Sequence, residues 1–110
     1  MGEIYKRYVF LPDKLLEKGI CLENLGIKEL AWDFNYTSEL IDILELYNYK
    51  ILGGDVYKFS KGQIEPTYDN WFFTNEKFNE SLKKTRYYIN DYHNKHGNEY
   101  LFSIIFEFNS

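Results

Sequence analysis

The segment over residues 51–71, ILGGDVYKFSKGQIEPTYDNW, constrains the fold more strongly than any other part of the chain. Residues 50–59 are rich in β-branched and aromatic side chains, a composition that predicts a strand. The SKGQ sequence at 60–63 predicts a tight turn, because Gly62 tolerates a positive φ angle. The segment is therefore expected to form a β-hairpin.

The return side of this hairpin is expected to be interrupted. Residues 63–65 predict a short second strand that ends before Pro66, since proline has no N–H to donate to a ladder. Residues 68–74, YDNWFFT, then predict a separate short strand or extended edge.

A pair of glycines lies inside the first predicted strand. Gly53 and Gly54 do not belong to a GxxxxGK[ST] or GxGxxG sequence, and no helix follows them as a phosphate site would require. Paired glycines in a strand more often mark a bulge or the close approach of a large ring. Trp71, Tyr57 and Trp32 are the candidate rings, so we interpret the glycines as structural.

Asp55 is the unexpected residue of this strand, because aspartate is disfavoured there unless its carboxylate finds donors. We interpret it as a structural residue that accepts from turn amides, the Asn70 side chain or the Trp71 indole N–H. Asp55→Ala would then cost roughly 1–3 kcal/mol of stability. The alternative is a small enzyme or ligand-binding domain with an Asp55/Asp69/Trp71 pocket, which requires converging carboxylates.

The first predicted helix ends near residue 48. Its N-cap is expected among three polar residues, Asn35, Thr37 and Ser38. Its apolar face consists of Leu40, Ile41, Ile43, Leu44 and Tyr47. Three acidic residues lie on the opposite side, Glu39, Asp42 and Glu45. This acidic ridge is either a solvated helix face or a docking face for a basic partner.

The second predicted helix covers residues 76–96, with Thr74 or Asn75 as its N-cap and Gly97 as its C-cap. An apolar stripe recurs at helical spacing through Phe78, Leu82, Thr85, Ile89 and Tyr92. Tyr87 faces away from that stripe and is expected to be exposed.

The remaining segments complete the predicted fold. Pro12 can begin a short helix through Lys18, and residues 29–34 predict a short strand. Residues 100–108 are apolar on both faces, which predicts a central strand. The element order β-α-β-β-β-α-β predicts an α+β domain over residues 1–110, with two main helices on one face of a mixed, mostly antiparallel sheet.

Composition excludes several classes of protein. A net charge of −4 argues against nucleic-acid binding, which usually needs a basic face. The single cysteine, Cys21, excludes an internal disulfide and fits a reducing compartment. No apolar run is long enough for a signal peptide or a membrane span, so we expect a cytoplasmic protein. Aromatic residues make up 20% of the chain, more than one core of this size can enclose, so some tyrosines should lie at the surface.

The sequence offers no catalytic, cofactor or metal site at recognised spacing. His93 and His96 lie one helical turn apart, which is half of a metal site, but no ligand cluster supplies the other half. Their position at a helix C-terminus is explained more simply by favourable charge. No serine lies in a G-x-S-x-G elbow. We therefore expect no enzyme activity, cofactor or metal.

Three motifs together resemble the immunity protein 40 (Imm40) family of bacterial polymorphic toxin systems. They are ILGGDVY at 51–57, QIEPT at 63–67 after the turn, and YDNW at 68–71. Ser81 and Tyr88-Ile89 on the following helix also fit the family pattern. The resemblance covers roughly residues 29–108.

This resemblance implies a small, non-catalytic α+β protein that binds and neutralises a toxin domain. The residues expected to serve the fold are Gly53, Gly54, Asp55, Tyr57, Asn70 and Trp71. The residues expected to contact the toxin are Glu39, Asp42 and Glu45 on the helix, and Glu65, Tyr68 and Asp69 by the hairpin. The expected partner is the cognate toxin, without nucleic acid or membrane, and the chain is a monomer or homodimer. A general interaction module that does not bind a toxin is a third hypothesis.

Overall fold

The computed structural model describes residues 6–109, which place a layer of helices on an antiparallel sheet. The helices in this part of the chain are α1 (Asp13–Glu17), α2 (Phe34–Leu46) and α3 (Phe78–His96), with a 3₁₀ turn at Glu23–Leu25. The strands are β1 (Ile20–Cys21), β2 (Leu30–Ala31), β3 (Tyr49–Ser60), β4 (Gln63–Phe72) and β5 (Tyr100–Phe108). The expected α+β fold is confirmed.

The main core lies between the sheet and the helices α2 and α3, so both helices pack on one face as predicted. It includes Leu40, Ile41 and Leu44 of α2, Leu82 and Ile89 of α3, and Ile51, Val56, Phe102, Ile104 and Phe106 of the sheet. Trp32 is fully buried in this core, and its indole N–H donates to the Leu15 carbonyl at 2.8 Å. That bond fastens α1 to the main core.

The central strand is β3, not the last strand as predicted, because the sheet order is β4-β3-β5. β5 is nevertheless apolar on both sides. Phe102, Ile104 and Phe106 enter the main core, whereas Leu101 packs on the opposite face in a smaller cluster with Leu22, Ala31 and Tyr57. The antiparallel β1–β2 pair and its connecting segment cover that opposite face, and Trp32 forms a single antiparallel bridge to Phe102 of β5.

β4 is one strand, although its sequence predicts two. The hairpin turn lies at Lys61 and Gly62, both at positive φ, as expected for a two-residue turn. Pro66 then remains within the strand opposite Tyr57. This is tolerated because β4 forms a sheet edge, where the missing N–H need not leave a partner unpaired. The predicted interruption is a register shift between Asp55 and Tyr57.

The capping predictions for the two main helices are partly wrong. Asp33 is the N-cap of α2, and its side chain accepts from the Tyr36 N–H at 3.0 Å. Thr37 is buried instead, and its hydroxyl donates to the Trp32 carbonyl at 2.9 Å. α3 begins after Lys77 without a side-chain cap. Gly97 ends α3 at a φ of 89°, as predicted.

The predicted helix faces largely agree with the observed burial. Leu82, Thr85, Ile89 and Tyr92 of the α3 stripe are buried, and Tyr87 is exposed on the far side. On α2 the expected apolar face ends before its last member, because Tyr47 follows the helix and is half exposed.

Gly54 leaves the space that Trp71 occupies. A Cβ atom at Gly54 would lie 2.6 Å from Cζ2 of the indole and would also collide with the Ser103 carbonyl oxygen. Gly53, at a φ of 154°, faces Phe72, whose Cβ would lie 2.6 Å from an added methyl. The paired glycines therefore allow β4 to pair closely with β3 while the Trp71 ring lies between the sheet and α3.

Gly54→Ala should lower the free energy of unfolding by roughly 1–3 kcal/mol, because the methyl overpacks a rigid ring and a backbone carbonyl. Urea denaturation monitored by tryptophan fluorescence measures this loss. Gly62→Ala is the matched control, since no atom lies within 4 Å of its added Cβ and only the positive φ is strained. Equal losses for both variants would contradict the packing role of Gly54.

Candidate functional site

A shallow concavity of about 300 Å³ opens beside β3 and β4, on the sheet face that α2 and α3 do not cover. We call it the acidic cleft. It is lined by Ile27, Asp55, Val56, Tyr57, Pro66, Tyr68 and Asp69. Its lining thus combines two acidic residues, two tyrosines and three apolar residues. This mixture suits a protein side chain with an apolar stem and a cationic head.

Asp55 faces the acidic cleft because side chains alternate along β3. Gly54 and Val56 face the main core, so the carboxylate between them points to the other side. Burial raises the pKa of the Asp55 carboxyl, and the nearby Glu29 carboxylate raises it further. Glu29 accepts a 2.5 Å hydrogen bond from the Ser103 hydroxyl, which fixes that second charge. Negative charge is therefore concentrated at this face of the sheet.

Tyr57 forms part of the floor of the acidic cleft and is almost fully buried. Burial raises the pKa of its hydroxyl to about 12, and the charges of Asp55 and Glu29 act in the same direction. The phenol therefore stays neutral and protonated at physiological pH. It contributes a flat surface and a hydroxyl, and no charge, to any bound group.

The segment 67–69 forms the outer wall of the acidic cleft. The Thr67 hydroxyl donates to the Val56 carbonyl at 2.7 Å, and the Asp69 N–H donates to the Thr67 oxygen at 3.1 Å. The Asp69 carboxylate accepts a 2.8 Å hydrogen bond from the Tyr92 hydroxyl of α3. These bonds hold both ends of the segment against the body of the protein.

Tyr68 lies between those two held residues in an uncommon backbone conformation. Its φ is 67°, which bulky non-glycine residues rarely adopt. The residue is 86% exposed, the highest value among the exposed large apolar and aromatic residues of the range 6–109. Backbone strain of this kind concentrates at functional positions. Tyr68 is thus an aromatic side chain presented to solvent on a fixed backbone.

The structure divides the six predicted contact residues between two faces of the molecule. Tyr68 and Asp69 line the acidic cleft, and Glu65 is exposed farther along β4, opposite Lys58 in the strand register. Glu39, Asp42 and Glu45 lie on α2, which packs on the other sheet face.

The acidic ridge on α2 is paired with a cation from α3, which the sequence of α2 alone did not indicate. Arg86 of α3 approaches Asp42 at 2.7 Å and Glu45 at 3.4 Å. Glu39 is exposed. Arg86 therefore offsets part of the negative charge of the ridge.

Trp71 does not line a pocket with Asp55 and Asp69, so that part of the alternative prediction is wrong. The indole is 7% exposed, belongs to the main core and stacks on Tyr88 with ring centroids 4.7 Å apart. Its N–H donates to the Thr85 hydroxyl at 3.1 Å rather than to Asp55. The Asn70 amide likewise donates to the Tyr68 carbonyl, at 3.4 Å.

The two histidines of α3 are used in packing. His93 stacks on Phe34 with ring centroids 3.9 Å apart, and His96 contacts Tyr92 at 4.3 Å. Across residues 6–109, no group of three or more histidine, cysteine or acidic side chains is arranged to hold a metal ion. In the same residues, no helix has the length and apolar character needed to cross a membrane.

Several residues of the site could not be recognised from local sequence. The folded chain brings three residues from distant parts of the sequence to the acidic cleft or next to its charged groups, namely Ile27, Glu29 and Ser103. Tyr92 was predicted only as a core residue. One local signal did exist. An aspartate among β-formers marks an exposed strand position as readily as a satisfied buried one.

The comparisons with known proteins identify a family. The family model for immunity protein 40 matches residues 21–106, which include every residue that lines the acidic cleft. No curated protein and no solved structure matches the chain.

Asp55→Asn should raise the free energy of unfolding at neutral pH, whereas the sequence predicts a loss of stability for Asp55→Ala. The folded-state pKa of Asp55 lies above its ordinary 3.8, so the charged carboxylate disfavours folding at higher pH. The gain should fade as the pH falls to about 4, where the wild-type carboxyl also becomes neutral. Urea denaturation at both pH values measures it.

The control for this prediction is Asp91→Asn, which removes a partly exposed carboxylate paired with Lys95 at 3.1 Å. It should change stability little or lower it slightly. A destabilised Asp55→Asn variant would instead support a carboxylate satisfied by donors.

Proposed function

The chain belongs to the immunity protein 40 family, and we propose that it binds and neutralises a toxin domain of a bacterial polymorphic toxin system. The observation that carries this proposal is the family match over residues 21–106. Neutralisation would require binding alone, by covering the toxin's active site or an essential exosite. We propose that the protein is non-catalytic and acts in the cytoplasm, as a monomer or a homodimer.

We place the toxin contact at the acidic cleft. Asp55, Asp69 and the neighbouring Glu29 give this face a negative potential, which favours encounter with a basic surface. The net charge of −4 has the same sign. The preferred partner surface therefore carries an arginine or lysine that enters the cleft between the two aspartates.

Tyr68 supplies the aromatic anchor of the proposed interface. Tyrosine is enriched among the residues that dominate binding energy, because a rigid ring buries a large area with few rotatable bonds. A stable interface buries of order 1,200–2,000 Å² in total, far more than the cleft itself. Glu65 and exposed parts of β4 would extend the contact around the anchor.

The α2 ridge remains a second candidate contact. Glu39, Asp42 and Glu45 are exposed there, but Arg86 holds two of these carboxylates. A basic partner would have to displace Arg86 from these exposed pairs, which would offset part of its attraction to the ridge. We therefore rank the ridge below the acidic cleft.

A small-ligand site is the competing function, since Asp55 and Asp69 line the same concavity. Deep enclosure of the ligand is typical of such sites. Here the cleft is shallow, Asp69 is already bonded to Tyr92, and Trp71 lies in the main core. These features favour a protein partner.

Co-expression with the toxin domain encoded immediately upstream tests the proposed function. Cells that carry the active toxin should grow only when this protein is present, and the purified pair should form a complex. Unchanged killing together with no complex would contradict the proposal. A neighbouring gene of another kind would favour a general interaction module.

Tyr68→Ala should weaken toxin binding by about 2 kcal/mol or more, roughly thirtyfold, because it removes the exposed anchor. Asp55→Asn should also weaken binding while raising stability, so folding and recognition are separated in one variant. Titration calorimetry with the toxin measures both. Tyr87→Ala is the matched control, an exposed tyrosine on the outer face of α3. Equal effects at positions 68 and 87 would place the interface elsewhere.

A further inference from the structure

We propose that Tyr92 of α3 is a positioning residue for toxin recognition, because its hydroxyl fixes the Asp69 carboxylate and, through it, the strained Tyr68. This inference rests on the proposed function and deepens it. Tyr92 is 8% exposed and does not line the acidic cleft, so it would act through Asp69 rather than by touching the partner.

The Tyr92 ring is itself held firmly. It makes edge-on contacts with Tyr100 and Phe102, with ring centroids 5.3 and 5.9 Å away, and stacks beside Tyr88 at 6.0 Å. Packing on several sides restricts the ring, so the position of its hydroxyl is set by the core. A donor fixed in this way imposes its geometry on the acceptor.

The acceptor, Asp69, lies in an irregular part of an edge strand. β4 is an edge strand and pairs with β3 on one side. The register shift and the positive φ of Tyr68 interrupt that pairing next to Asp69. Uncommon backbone conformations persist only where surrounding contacts hold them. Here those contacts are the Thr67 bonds on one side of Tyr68 and the Tyr92 bond on the other.

The chemistry of the bond suits a permanent support. Burial raises the pKa of the Tyr92 hydroxyl, and the Asp69 carboxylate raises it further, so the phenol remains a proton donor at physiological pH. A hydrogen bond to a charged acceptor is stronger than one between neutral groups. It also leaves a second carboxylate oxygen on Asp69 for a partner's cation.

The expected benefit is preorganisation. If residues 67–69 are already in the binding conformation, association does not carry the unfavourable entropy of ordering them. Loss of the Tyr92 hydroxyl should therefore reduce affinity without removing any atom from the contact surface. The same loss should increase the dissociation rate more than it reduces the association rate.

Tyr92→Phe tests the proposal, since it keeps the packed ring and deletes the donor. We expect toxin affinity to fall about tenfold, the scale of one lost charge-assisted hydrogen bond. Tyr100→Phe is the matched control, because it removes a hydroxyl from the adjacent ring and leaves the Tyr92–Asp69 bond in place. Its affinity should match that of the wild type. Denaturation experiments establish that all variants are fully folded during the binding assay.

A double-mutant cycle distinguishes positioning from general stability. Asp69→Asn should weaken binding, and adding Tyr92→Phe to it should cause little further loss, because the two residues act through one bond. Fully additive losses, or wild-type affinity of Tyr92→Phe, would overturn the positioning role. In the free protein, backbone chemical shifts of residues 67–69 should change in Tyr92→Phe and not in Tyr100→Phe.

The outcomes separate the two proposals. If the wild-type protein does not bind the toxin, the proposed function fails and the positioning role fails with it. If the wild type binds and Tyr92→Phe binds equally well, only the positioning role fails.

Discussion

The packing of Trp71 against Gly54 is the interaction on which the arrangement of the hairpin depends. β4 pairs with one neighbouring strand, so its attachment to the helix layer relies on side chains. The indole stacks on Tyr88, donates to Thr85 and occupies the space left by the missing Cβ of Gly54. Because this ring fixes β4 against α3, it also sets the distance at which Tyr92 meets Asp69, and thereby the wall of the acidic cleft.

Local signals in the sequence account for much of the fold. The turn at Gly62, the stripe of α3 and the end of α3 at Gly97 each depend on residues a few positions apart, and each was predictable. The central position of β3 was not, because the apolar character of β5 has two origins that look alike in sequence. One is the main core, and the other is a distant segment that covers the second sheet face.

The sequence predicted Tyr68 and Asp69 as contact residues, and its alternative ligand pocket placed Asp55 with Asp69. Tyr68 and Asp69 follow a turn and a proline, which indicated a surface position. The pairing of Arg86 with Asp42 joins residues 44 positions apart. The partial neutralisation of the α2 ridge therefore could not be predicted without knowing how α2 and α3 pack together. The Asp55 carboxylate was assigned donors that are engaged elsewhere, since strand alternation fixes its direction but not its neighbours.

The exposed edge of β4 has a consequence for self-association. Free sheet edges invite pairing with other chains, and proteins limit this with prolines, charges and bulges. β4 has all three, in Pro66, in Glu65 and Asp69, and in the irregularity at Tyr68. The exposed edge of β4 is thus poorly suited to pairing with a strand of another chain, which limits aggregation through this edge.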